Sequence, residues 1–158
     1  MLKKKILIIC CCLLSLPLGL LARSSMDFSS PQSTFKSYLQ ACKEQDFSKS
    51  DLHYTNEFRK FIKTNQGYLS HRNVGQLQNE YNSYFNKSYV IEVYDDRVIF
   101  RFAHYGQPPP PIYFVKEDGL WKIDAMFSFN NVIMSSGGHW HWKNPNIDNE
   151  KIWIDKQY

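Results

Sequence analysis

The sequence predicts an α+β domain, with three N-terminal helices packed on an antiparallel sheet, and three observations carry the prediction. Between residues 30 and 87, apolar side chains recur at helical spacing in three successive stretches. From Tyr89 the period changes to two, the mark of strands with one buried face. Residues 112–126, IYFVKEDGLWKIDAM, read as two strands joined at Glu117-Asp118-Gly119, where a glycine after an aspartate admits the positive φ of a tight hairpin.

The chain of 158 residues is the size of one domain plus a targeting segment. Its first five residues, MLKKK, are basic, and residues 6–21 are apolar, broken by Pro17 and Gly19 and followed by Ala22. That is the layout of a secretory signal peptide over 1–22, so the expectation is an exported protein, periplasmic or secreted. The apolar run is nearly long enough to span a bilayer, which makes an uncleaved N-terminal anchor the alternative. Pro17 and Gly19 favour cleavage, with no stable membrane insertion afterwards. Cys10, Cys11 and Cys12 lie early in the run rather than behind a small residue at its end, which argues against lipidation. Cys42 is then the one cysteine of the mature chain, so no internal disulfide framework exists. The formal charge of +4 is largely a targeting feature: without Lys3, Lys4 and Lys5, 16 basic residues face 15 acidic ones. A balance of +1 excludes a nucleic-acid function argued from charge. The aromatic share of 16% falls entirely after the leader, enough to fill a core, line a pocket, or both.

Residues 23–29 form a polar lead-in, and the domain proper covers 30–129. Ser30-Pro31 supplies an N-cap and a first helical residue. Phe35, Tyr38, Leu39 and Cys42 make the first stripe and put Cys42 on the buried face, as a small core residue rather than a reactive thiol. Asp46-Phe47-Ser48 reads as a break. A second helix is expected from about Ser50 to Thr64, with Tyr54, Phe58, Phe61 and Ile62 inward and Gly67 as its C-terminal cap. The third runs from Val74 to about Lys87, capped by Asn73 with Gln76 closing a capping box. Val74, Leu77, Tyr81, Tyr84 and Phe85 carry its stripe.

Among the strands, alternation assigns Tyr89, Ile91, Val93, Val98, Phe100, Phe102, His104, Trp121, Ile123 and Ala125 to the inner face. Arg97, Ile99, Arg101, Lys122 and Asp124 fall on the outer one, and Asp95-Asp96 is the first turn. Residues 106–111 are a proline-rich loop that cannot continue a central strand. Residues 130–158 are a C-terminal extension in which residues 139–142 and 152–154 each read as a short extra strand.

Three amphipathic helices followed by antiparallel strands, with PQSTFKSYL at 31–39 opening the first helix and VKEDGLWKID at 115–124 in the hairpin, resemble the nuclear transport factor 2-like superfamily over 30–129. The resemblance implies a cone: a curved sheet wrapped on helices, often with an apolar pocket and often a homodimer through the outer sheet face. It does not imply a chemistry, because the superfamily spans isomerases, dehydratases, binding modules and immunity proteins.

An isomerase of that kind needs an inward carboxylate, and the inner strand positions offer none. His104 is the candidate catalyst, in a pocket lined by Tyr38, Tyr54, Phe100, Phe102 and Trp121. A hydrogen-bonded structural His is the alternative for it. His139 and His141 share one side of a strand, as a metal pair does, but lack an identified third ligand. Arg97, Arg101, Trp140 and Trp142 form a candidate partner face, the residue types that concentrate at interfaces, or else an ordinary solvated surface. No cofactor is called for. The expected function is therefore an exported, non-catalytic binding domain for a small apolar ligand or a protein partner, an immunity-type inhibitor being one version. A small isomerase, dehydratase or hydrolase built on His104 is the alternative.

Overall fold

Ser30 starts the first helix as its hydroxyl predicts. In the computed structural model, which describes residues 26–103, 106–135 and 138–156, Ser30 Oγ accepts from the Ser33 amide at 3.0 Å and Pro31 takes the first helical position. The leader over 1–22 and residues 104 and 105 lie outside the described residues. Helix α1 (Pro31–Lys43) buries Thr34, Phe35, Tyr38, Ala41 and Cys42.

The single helix expected from Ser50 to Thr64 is two, with α2 (Phe47–Ser50), a 3-10 turn (Asp51–His53) and α3 (Asn56–Thr64) in succession. Asp46 caps α2 through the Lys49 amide at 3.1 Å. The helix is interrupted because Tyr54 bridges to Ile123 and the Thr55 amide donates to the Ile123 carbonyl at 3.1 Å. A strand edge has captured backbone that helical propensity alone would have continued. Asn65 ends α3 and at once caps α4 (Gln66–His71) through the Tyr68 amide at 2.9 Å, so Gly67 lies within a further short helix. In α5 (Val74–Tyr84), Gln76 Oε1 accepts from the Asn73 amide at 3.2 Å, the return half of the expected capping box.

The sheet is an antiparallel meander in chain order: β1 (Tyr89–Tyr94), β2 (Arg97–Phe102), β3 (Ile112–Glu117) and β4 (Leu120–Ile123). The β3–β4 hairpin turns at Asp118 and Gly119, both at positive φ (52° and 79°), as the sequence requires. Val98, Phe100, Phe102, Ile112, Phe114 and Ile123 pack with Phe35, Cys42, Leu77 and Tyr84 in the main core. Ile91 and Val93, assigned inward by alternation, are exposed: β1 is an edge strand, and of its alternating set Tyr89 alone joins that core.

The opposite sheet face is not solvated. Ile99, Tyr113 and Val115 are buried there beneath Trp153. The cover is α6 (Ala125–Asn131) and the C-terminal extension that follows it: a hairpin of β5 (Val132–Met134) and β6 (Trp140–Trp142), and α7 (Asn149–Asp155). Residues 152–154, read as a strand, are helical, because Asp148 caps α7 through the Lys151 amide at 2.9 Å. The helical period then buries Trp153 on the sheet and leaves Ile152 exposed. The architecture is α+β, as expected, but its helices are not all N-terminal: among the described residues five precede the sheet and two follow it. No helix among the described residues is long and apolar enough to cross a membrane.

Candidate functional site

Between the helices and the inner edge of the sheet lies a cavity of about 630 Å³, within the usual range for small-molecule sites. Its ring-bearing walls come from Tyr38 on α1, Tyr54 at the helix break, Phe58 on α3, Tyr68 on α4 and Tyr84 on α5. Pro110, Pro111 and Ile112 close one side, and Ala125, Phe129 and Ile133 another. The proline-rich loop thus has a structural task, and the Tyr84 hydroxyl anchors it by donating to the Pro110 carbonyl at 3.2 Å. The Tyr38 and Tyr54 hydroxyls lie 2.9 Å apart and hydrogen-bond.

Into this setting α5 brings a carboxylate. Glu80 lies three residues after Leu77 and four before Tyr84, both buried, so the helical period sets it on the side of α5 that lines the cavity. Its side chain is exposed and lines the cavity, and the protein crowding its carboxyl pushes the pKa up to about 7. Its charge in turn works with burial to hold the Tyr38, Tyr54 and Tyr84 phenols well above their usual range. Burial pushes the Cys42 thiol up to about 12, which makes it the inert core residue its position predicted. Sequence reasoning missed Glu80 because it sought a carboxylate on the strands alone. The i+3 and i−4 spacing to Leu77 and Tyr84 was the available signal.

Of the residues predicted to line a pocket, Tyr38 and Tyr54 do so. Phe100 and Phe102 are core residues, both in ring contact with Phe35, and Trp121 is half-buried against the same core. Their distance from the cavity follows from α1, whose Phe35 fills the space over the sheet centre. His104 lies outside the described residues.

Arg97, expected on an accessible face, is 2% exposed. Its guanidinium lies 4.9 Å from the Trp153 ring centroid and donates to the Lys156 carbonyl. Arg101 binds Glu150 of α7 through two nitrogens, at 2.5 and 3.0 Å, and Glu92 at 2.6 Å. Trp140 donates to the Pro108 carbonyl at 3.1 Å, and Trp142 lies 6.0 Å from Phe127. The face that residue types marked for a partner is thus occupied by the chain's own extension. His139 and His141 are exposed, and among the described residues no three His, Cys, Asp or Glu side chains gather to hold a metal.

Another residue not singled out by sequence is His53, fully buried, with Nε2 2.7 Å from Ser37 Oγ and Nδ1 3.0 Å from the Lys49 carbonyl. Burial lowers its pKa to about 4. The Ser–His contact invites a nucleophile reading, but Phe28 and Tyr38 cover the ring, at 5.1 and 5.8 Å between centroids, and neither His53 nor Ser37 lines the cavity.

No family model, curated protein or solved structure matches the chain.

Proposed function

We propose that the protein is an exported binding domain of the nuclear transport factor 2-like kind, whose cavity takes a small, largely apolar ligand carrying one polar group. The observation that carries this reading is the 630 Å³ cavity, walled by aromatic rings and holding a few polar groups, Glu80 and the Tyr38–Tyr54 pair among them. That mixture of apolar area and sparse polar anchors suits small-molecule recognition. The family reading draws on the order of helices before an antiparallel meander, and export draws on the basic and apolar leader of residues 1–22.

Native mass spectrometry of the protein recovered from its exporting host tests the reading. The expected species lacks residues 1–22 or 1–24 and retains a small molecule that Ala125→Trp, which fills the cavity, excludes. A full-length, ligand-free chain unaltered by Ala125→Trp overturns it.

One observation favours a second reading. A carboxyl with a pKa near 7 beside hydrogen-bonding phenols has the composition of a general-base site, which suits a small isomerase or dehydratase. Here Glu80, rather than His104, is the base, and that reading fails if Glu80→Gln leaves turnover unchanged.

A further inference from the structure

We propose that the cavity selects an organic ammonium ion, with the Glu80 carboxylate as its counter-charge and the rings of Tyr38, Tyr54, Phe58 and Tyr68 as its walls. The inference rests on the reading of the cavity as a ligand site and specifies what that site prefers. Glu80 makes no hydrogen bond or ion pair among the described residues, and burial is the sole influence shifting its carboxyl. Glu80 is exposed to the cavity that Tyr38, Tyr54, Phe58 and Tyr68 also line, so a ligand of opposite charge seated among those rings meets its counter-charge there. Aromatic faces add attraction for the same ion, since the ring quadrupole draws a cation desolvated against it.

The other titratable groups around the cavity do not supply that charge. Tyr38, Tyr54, Tyr68 and Tyr84 keep neutral phenols because burial raises each of them, and Cys42 on α1 stays a thiol. Tyr113 on β3 donates to Glu150 at 2.7 Å. Lys143 is the one cationic side chain among the described lining, and it is engaged by the wall itself rather than by Glu80: Nζ donates to the Phe129 carbonyl at 2.9 Å and lies 5.8 Å from the Phe129 ring centroid. An anionic ligand would meet Glu80 as a like charge, and a neutral one would leave its charge unanswered once it ionises. A bound cation instead holds Glu80 ionised, so binding below neutrality releases a proton to the buffer.

Isothermal titration of the full chain with 2-phenylethylamine, which is protonated from pH 5 to 8, and with uncharged 2-phenylethanol tests the assignment. The amine should bind at least tenfold tighter than the alcohol at pH 8, and its advantage should shrink at pH 5. At pH 6 its enthalpy should vary with the buffer's ionisation enthalpy. Glu80→Gln should abolish all three effects while still binding the alcohol, and the pH series on the unaltered protein stands without that variant. Equal binding of the two probes at pH 8, or an amine advantage that survives Glu80→Gln, overturns the ammonium assignment and leaves the cavity reading intact. Failure of both probes to bind at millimolar concentration overturns both.

Discussion

At the scale of single residues, His53 and Glu80 set the acid response in opposite directions. The Lys49 carbonyl can only accept, so Nδ1 of His53 carries the proton of the neutral ring and Nε2 accepts from the Ser37 hydroxyl. With its pKa lowered from 6.5 to about 4, the folded state binds that proton more weakly than the unfolded chain. The resulting stability is complete above pH 6.5 and is lost as pH falls through 4, a change of roughly 3 kcal/mol. Glu80 runs the other way. Its carboxyl is raised from 4.5 to about 7, so its contribution is complete below pH 4.5 and is lost as pH rises through 7. Between pH 4.5 and 6.5 the two slopes oppose. Urea unfolding midpoints should therefore change little across that window in the unaltered protein, rise with pH in Glu80→Gln and fall with pH in His53→Gln. Parallel profiles for Glu80→Gln and the parent would exclude Glu80 from the balance.

At the scale of elements, α7 has the largest consequence for its length. It is seven residues long, too short to hold its own shape in water, so tertiary packing must maintain it. Trp153 supplies that packing, with its ring centroid 5.0 Å from Tyr113 and 5.7 Å from Phe127, and its Nε1 donating to Asp124 at 2.8 Å. Asp124 also caps α6 through the Phe127 amide at 3.0 Å, so one carboxylate ties two helices to the end of β4. Trp153→Ala removes a large buried ring and leaves Asp124 Oδ2 without its indole donor. The expected loss is about 3–5 kcal/mol by chemical denaturation. A loss under about 1 kcal/mol would mean that α7 contributes little to holding the sheet face.

At the scale of the whole molecule, the central strands β2 and β3 are buried on both sides, by the N-terminal helices and by the chain that follows β4. The homodimer that the family resemblance implies would need the outer face that α7 occupies. Deleting residues 149–158 should expose Ile99, Tyr113 and Val115 and drive self-association, visible as a concentration-dependent mass in sedimentation; a variant that stays monomeric would show that the face needs no cover. Much of this arrangement was legible in the sequence. The Ser30 cap, the Asn73–Gln76 box, the Asp118-Gly119 turn and the inward set Val98, Phe100, Phe102 and Ile123 follow from local rules, because capping and side-chain period depend on residues a few positions apart. Tyr38 falls on the inward side of α1 by the same spacing, whereas Tyr54 reaches the cavity from the helix break rather than from the stripe of a continuous helix. Periodicity says which residues share a face, not what that face meets. The break at Tyr54 depends on Ile123, the burial of Arg97 on Trp153, and the engagement of Arg101 on Glu150, 49 positions away. Sequence alone therefore determined the caps, the turns and the strand meander, but not the helical state of residues 152–154 or the exposure of Ile91 and Val93. Tertiary structure alone decided which segment covers the outer sheet and placed Glu80 among aromatic rings, because those outcomes rest on contacts between distant parts of the chain.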